Sequence, residues 1–243
     1  MKMLKIIAKA ATAMFIVSFS VSAQVKNLAI VANGLKDPGS ISIVDLNQPD
    51  TKRAVKNDII TIGSTPNDVQ VHQNLAYVVN TYSNNVQIID LLEQNSVGEI
   101  SVGPGALPEK IAFADFSKAY VTCNGLDQVA VLNLNTRSVT STIKVRSKPW
   151  GITVINKKAY VANSAAVTNW VTFKTTYGDS SVSVIDTATD QVIKTIKVAT
   201  NATEITTDGN SKVLVISTGD YAMIPGQLTI INANTDEIEK TVK

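Results

Sequence analysis

Cysteine and histidine are nearly absent from this 243-residue chain, which holds one of each, Cys123 and His72. A lone cysteine forms no intrachain disulfide, so the fold must be held by its core. The roughly 220 residues after the first 23 are enough to bury such a core without covalent staples. Cys123 lies in an apolar stretch that reads as an interior strand, which fits a buried, inert thiol better than a reactive one. His72 has no second histidine or cysteine beside it, and no C-x-x-C-H occurs. Haem, zinc and copper sites want more such ligands, so His72 reads as a surface turn residue and no metal or cofactor is expected. G-x-S-x-G, H-E-x-x-H and Walker sequences are also missing, and no catalytic residue can be nominated. Aromatic residues make up only 5% of a chain that is 44% hydrophobic. The core must therefore be Val, Ile, Leu and Ala, which is strand chemistry, and no amphipathic helical pattern follows the first residues.

The chain begins with Lys2, Lys5 and Lys9, then an apolar run from Ala10 to Val21, then Val21-Ser22-Ala23 before Gln24. That order reads as a cleavable secretory leader over residues 1–23, too short in its apolar part to span a bilayer. The mature protein, 24–243, is expected outside the cytoplasm, periplasmic or secreted to the cell surface, and not membrane-inserted after cleavage. Residues 1–23 hold three lysines and no acid, so the net charge of +2 becomes 19 basic against 20 acidic side chains, net −1. Nucleic-acid binding needs a basic surplus that this chain lacks.

Its organisation comes from repetition. Ala29-Ile30-Val31-Ala32-Asn33, Ala76-Tyr77-Val78-Val79-Asn80, Ala119 to Asn124, Ala159-Tyr160-Val161-Ala162-Asn163 and Val213 to Ser217 are variants of one strand. Each is followed by a second strand ending at Asp45, Asp90, Asn133, Asp186 or Asn232, positions separated by 45, 43, 53 and 46 residues. Several short strands at this period predict a four-stranded antiparallel blade, repeated about five times in an all-β propeller. The fourth unit shows strand A at 151–155, B at 159–163, C at 181–186 and D at 191–198. Asp208-Gly209-Asn210 is a tight A–B hairpin turn. The C–D turns Asn133 to Thr136, Asp186 to Thr189 and Asn232 to Thr235 place an Asx side chain to accept a backbone N–H two residues on.

With five Tyr-Val-x-Asn-like strands and a V-x-V-I-D-x-x-T segment (best in Val182 to Thr189), the mature chain resembles the YVTN β-propeller repeat family of bacterial and archaeal exported proteins. That resemblance implies a propeller, commonly of seven blades, often exported and usually without a demonstrated reaction. In one respect the chain departs from it. No room exists for a strand A between Gln24 and the first strand B, which predicts nineteen strands, open sheet edges and a tendency to self-associate. A C-terminally truncated copy of a longer protein, or a five-bladed ring lacking one strand, would both give this count.

Repeated carboxylates at Asp45, Asp90 and Asp186 alternate with Asn133 and Asn232, an exchange that an Asx turn tolerates and acid–base or metal chemistry does not. Gly103-Pro104-Gly105 is a D–A connection, since a strand rather than a helix follows it. The remaining signal lies in loops. The B–C loop of unit four, Ser164 to Ser180, holds Trp170, Phe173 and Tyr177, and that of unit five holds Asp220 and Tyr221. The D–A connection into unit four adds Lys148 and Trp150. These connections emerge at one end of a blade, so the five rings are expected to gather as a binding site with Lys148 and Asp220 at its edge. The leading expectation is a non-catalytic binding scaffold of the cell envelope whose partner is a glycan, a peptide or another envelope protein. Two alternatives are a periplasmic propeller enzyme with its ligands in further C-terminal blades, and a surface adhesion module.

Overall fold

The computed structural model describes residues 16–18, 27–50, 54–169 and 171–243. Five four-stranded antiparallel sheets make up nearly all of the described chain. Sheet I contains β1 (Ile16–Ser18), β2 (Leu28–Asn33), β3 (Ser40–Asp45) and β4 (Val55–Thr61). Sheet II contains β5 (Pro66–His72), β6 (Leu75–Asn80), β7 (Asn85–Asp90) and β8 (Asn95–Ser101). Sheet III contains β9 (Pro108–Phe113), β10 (Lys118–Cys123), β11 (Gln128–Asn133) and β12 (Ser138–Lys144). Sheet IV is built from β13 (Pro149–Ile155), β14 (Lys158–Asn163), β17 (Ser181–Asp186) and β18 (Gln191–Lys197), with the hairpin β15 (Ala166–Asn169) and β16 (Lys174–Tyr177) inserted between its second and third strands. Sheet V contains β19 (Ala202–Thr207), β20 (Lys212–Ser217), β21 (Gln227–Asn232) and β22 (Glu237–Val242). The strands of each sheet run A to D in chain order.

The chain divides into two compact units, Met1–Pro104 with sheets I and II and Gly105–Lys243 with sheets III to V. The second and third strands of sheets II, III and IV are the most buried of their sheets. Ile30, Ala32, Ile41 and Ile43 of sheet I pack on Val69, Ala76, Val78 and Ile89 of sheet II. Tyr160, Ala162, Val182 and Val184 of sheet IV pack likewise on Ile205, Val213, Val215 and Ile231 of sheet V. Each fully buried Val, Ile or Leu contributes about 1.5–3 kcal/mol, so these layers hold the fold as the missing disulfides require. Strand A of sheet IV runs against strand A of sheet V, and there a side chain has no room. A Cβ on Gly151 would lie 2.6 Å from the Thr203 carbonyl oxygen and 3.0 Å from the Ile205 nitrogen.

The nineteen-strand count needs correction. Ile16–Ser18 pairs with Val31, Ile30 and Ala29, so sheet I has a fourth strand in the strand A place. It comes from the apolar run read above as leader, and it satisfies an edge of β2 that would otherwise stand open. The rest of residues 1–23, with the cut before Gln24, lies outside the described residues. All five repeated Asx residues cap their C–D turns as expected. Asp45 accepts from the N–H of Asn47 (2.9 Å), Asp90 from Leu92 (2.8 Å), Asn133 from Asn135 (3.0 Å), Asp186 from Ala188 (2.9 Å) and Asn232 from Asn234 (2.9 Å). The Asn47 N–H holds the Asp45 carboxyl below the usual range, and the N–H groups of Thr189 and then Ala188 do the same for Asp186.

A second device joins the sheets, and here the repeat motif finds its use. The Lys158 ammonium meets the Asp236 carboxylate at 2.7 Å, and the buried Tyr160 hydroxyl donates to the same carboxylate. One sheet earlier, Lys118 and Tyr120 do the same to Asp190, at 2.8 and 2.5 Å. Each clamp runs from the start of strand B to the C–D turn of the next sheet. Asp190 and Asp236 both sit at positive φ, four residues after the capping Asx.

Candidate functional site

Antiparallel order places every B–C loop and every D–A connection at the same end of its sheet. In the second unit a chain of hydrogen bonds ties these segments together. The Lys148 N–H donates to Asp127 Oδ1 (2.9 Å), and the Lys148 carbonyl accepts from the N–H of Ser164 (2.9 Å). Ser180 Oγ donates to the Ser164 carbonyl (2.7 Å) and accepts from the Asn201 N–H (2.8 Å). Asn201 Nδ2 then donates to Thr218 Oγ1 (2.8 Å). The connected path runs from the B–C loop of sheet III, through both ends of the sheet IV insertion, to the B–C loop of sheet V. Loop bases fixed in this way are positioned by the scaffold and not by the loops themselves.

On this base stand two projections. The Ser164 to Ser180 segment, read from sequence as a loop, is largely a hairpin, with Ala166 paired to Tyr177 and Asn169 to Lys174. Thr168 and Thr175 hydroxyls meet across it at 2.9 Å, and Asn169 Oδ1 caps its turn through the N–H groups of Val171 (2.9 Å) and Thr172 (3.1 Å). Phe173, at φ 53°, is thrown outward and is 79% exposed. The sheet V loop is organised by Asp220, which accepts from the N–H groups of Ala222 (3.0 Å), Met223 (2.8 Å) and Ile224 (2.7 Å). The Ile224 N–H leads the bonds that hold the Asp220 carboxyl below the usual range. Gly219, at φ 71°, must be glycine, because a Cβ would fall 1.9 Å from the Ile224 carbonyl oxygen. Tyr221 and Met223 stand on this turn, 76% and 91% exposed.

The remaining site residues are placed as follows. Trp150 is the second residue of β13 and not part of the connection, half-buried at a bulge where the β13–β14 register shifts between Pro149 and Ile152. Its carbonyl accepts from Thr122 Oγ1 at 2.6 Å. Tyr177 is half-buried at the end of β16. Trp170 lies outside the described residues. Lys148 turns its ammonium onto the Asn124 carbonyl (3.2 Å) and toward Asp127 (3.9 Å). Lys148 and Asp220, expected as edge contacts, thus spend their charge on shaping the loops. Met223 and Val171 were not selected from sequence, yet both are among the most exposed apolar side chains. Their signal was present, because each sits one to three residues after an Asx that can cap a turn.

Cys123 is buried at the end of β10, and burial pushes its thiol up to about 12. Among the described residues no group of three or more His, Cys, Asp and Glu side chains could hold a metal ion. No described helix is long and apolar enough to cross a membrane. The loops present the apolar and aromatic tips Val171, Phe173, Tyr221 and Met223 on a hydrogen-bonded base.

No family model matches the chain, and no curated protein matches it. Among solved structures it is similar to Kuenenia stuttgartiensis hydrazine synthase, with a TM-score of 0.62 and 22% identity over 73% of this chain. The match spans 48% of that chain. With 1164 solved chains matching, the likeness is one of fold and carries no activity.

Proposed function

We propose that the five sheets are blades of an exported β-propeller of the YVTN repeat type, acting as a non-catalytic binding scaffold of the cell envelope. Five four-stranded antiparallel sheets at a period of 43 to 53 residues support the propeller, as does the fold likeness to a solved structure. The binding role rests on one observation above the others. Phe173, Tyr221 and Met223 project into solvent from capped turns whose bases are joined by hydrogen bonds across three sheets. Apolar tips held rigid lose little entropy on binding, the circumstance in which aromatic anchors are most effective. A glycan, a peptide or another envelope protein is the partner of suitable chemistry.

Arrays of envelope glycans and of short peptides, probed with the purified protein, test this reading. Phe173→Ala and Tyr221→Ala should each weaken a positive signal by about 1–2 kcal/mol, as for typical interface anchors. Their melting temperatures should stay at the wild-type value, since loop tips contribute few core contacts. Lower melting temperatures with unchanged binding would mean that the rings merely cover the sheet ends, and the site would be withdrawn.

A further inference from the structure

The hairpin inserted in sheet IV is a sheet of only two strands among the described residues, so each of its strands has an unpaired edge. Its hydrogen-bond phase is fixed at the base, where the Gly178 N–H donates to the Ala165 carbonyl at 2.9 Å. Bonded and non-bonded pairs alternate in an antiparallel ladder, so Val167–Thr176 and Asn169–Lys174 exchange the ladder bonds. Thr175 and Tyr177 on β16, and Ala166 and Thr168 on β15, therefore turn their N–H and C=O groups away from the hairpin. The two edges differ. On β15 the Ala166 N–H already faces Ser164 Oγ at 3.4 Å, and Ala166 and Thr168 are half-buried. On β16, Lys174, Thr175 and Thr176 are all exposed.

We infer that the β16 edge is a docking strip for an extended acidic segment of another protein, which adds beside it as a third strand. This names the partner of the loop-end site proposed above and rests on that reading. The edge selects the class of ligand. Its outward groups recur every second residue, about 7 Å apart, and another extended backbone repeats donors and acceptors at that interval, whereas a glycan does not. Charge then selects among polypeptides. Residues 164–178 hold Lys174 and no acid. Lys174 makes no ion pair among the described residues, and the nearby Asp179 is taken by Lys197 at 3.0 Å. An acidic residue set across from Lys174 gains a cross-strand pair, while a second copy of this edge would bring lysine toward lysine. Alternation adds a further choice. Lys174 and Thr176 share one face of β16 and Thr175 and Tyr177 the other, so the segment that fits alternates an acid with β-branched residues packed beside Tyr177. The hairpin gains as well, because two strands alone are marginally stable in water and a third supports them.

Blocked seven-residue peptides that alternate Val with Glu or Thr, followed by fluorescence anisotropy, should bind the purified protein. The same peptides with Lys in place of Glu should bind roughly tenfold or more weakly, and Lys174→Glu should reverse that preference. Thr175→Pro removes an outward N–H and no ladder bond, and should weaken binding about tenfold or more. Thr168→Pro, on the other edge, should leave binding unchanged. Because proline can also disturb a hairpin, a second measurement uses the unaltered chain. In amide hydrogen exchange read by NMR, the Thr175 and Tyr177 N–H groups should gain protection at saturating peptide, and those of Ala166 and Thr168 should not. No binding by any of these peptides, no protection at Thr175 and Tyr177, an equal loss from Thr168→Pro, a charge preference indifferent to Lys174→Glu, or self-association that Thr175→Pro ends would each overturn the proposal. If the peptides fail while a glycan or a folded envelope protein binds and Phe173→Ala weakens it, this inference falls and the binding reading stands; if nothing binds, both fall.

Discussion

Asp236→Ala should be among the most damaging single substitutions outside the aliphatic core. The carboxylate receives the hydroxyl of Tyr160, which is wholly buried, and the ammonium of Lys158 at 2.7 Å. Its side chain is 11% exposed, against 26% for Asp190 in the equivalent clamp. A hydrogen bond to a charged partner contributes about 1.5–3 kcal/mol. Removing one member of a buried ion pair costs about 3–5 kcal/mol, less where water still reaches the pair. Together these give about 3 kcal/mol for Asp236→Ala and about 2 kcal/mol for the wetter Asp190→Ala. Lys158 and Tyr160 would keep only the Ala233 carbonyl, at 3.1 and 3.2 Å. In a protein of this size the larger loss lowers the melting temperature by about 6–12 °C. Urea denaturation of Asp236→Ala, Tyr160→Phe and the double variant completes the assay. Tyr160→Phe should cost about 1.5 kcal/mol in the wild type and much less once Asp236 is gone, because the pair is then already broken. Equal cost in both backgrounds, or a larger loss at Asp190 than at Asp236, would refute the clamp.

Two further outcomes follow from the same geometry. Burial, and then the bonded aspartate, raise the Tyr120 and Tyr160 hydroxyls above their ordinary 10.0. Above that value the unfolded chain gives up these protons while the folded chain keeps them, so stability is intact below pH 10.0 and falls as pH rises. Each tyrosine should contribute about 1.4 kcal/mol per pH unit, and Tyr120→Phe should flatten the alkaline slope by that amount; an unchanged slope would count against it. Gly151→Ala should cost about 1–3 kcal/mol or more, through the clash with the Thr203 carbonyl; a melting temperature equal to wild type would contradict the close approach of β13 and β19.

Most of the fold was legible because its signals are local. Val, Ile and Tyr at alternate positions set the strands, and the capping Asx needs only an N–H two residues away, so strand limits in unit four and all five caps followed from short windows. What went unread depends on distance along the chain. The partners Tyr160 and Asp236 are 76 residues apart, and nothing in either motif alone names the other. Comparing repeats would have shown it. Lys-Ala-Tyr stands at 118–120 and 158–160, and each is answered by Asp at the next repeat's C–D turn, Asp190 and Asp236. The inserted hairpin was also readable, since Ala166-Val167-Thr168 and Thr175-Thr176-Tyr177 flank a turn that opens on Asn169. For the candidate site, side-chain type pointed to exposed loop segments but not to the hydrogen bonds that Lys148 and Asp220 make there. Charged residues near a loop base meet backbone groups before they meet a ligand, a competition settled by the folded geometry and not by residue type.

The clamps lie at one end of the sheets and the long loops at the other, and this separation has a consequence for how such a chain can change. The clamps are carried by strand starts and C–D turns, so residues can be added to a B–C loop without altering a single clamp. The interval of 53 residues against 43 to 46 elsewhere records one such addition, the hairpin of sheet IV. Length, composition and reach of the loops are therefore free variables, while the turn end is held to a fixed pattern. New recognition surfaces can be tried at one end of the molecule with the stability of the other left untouched.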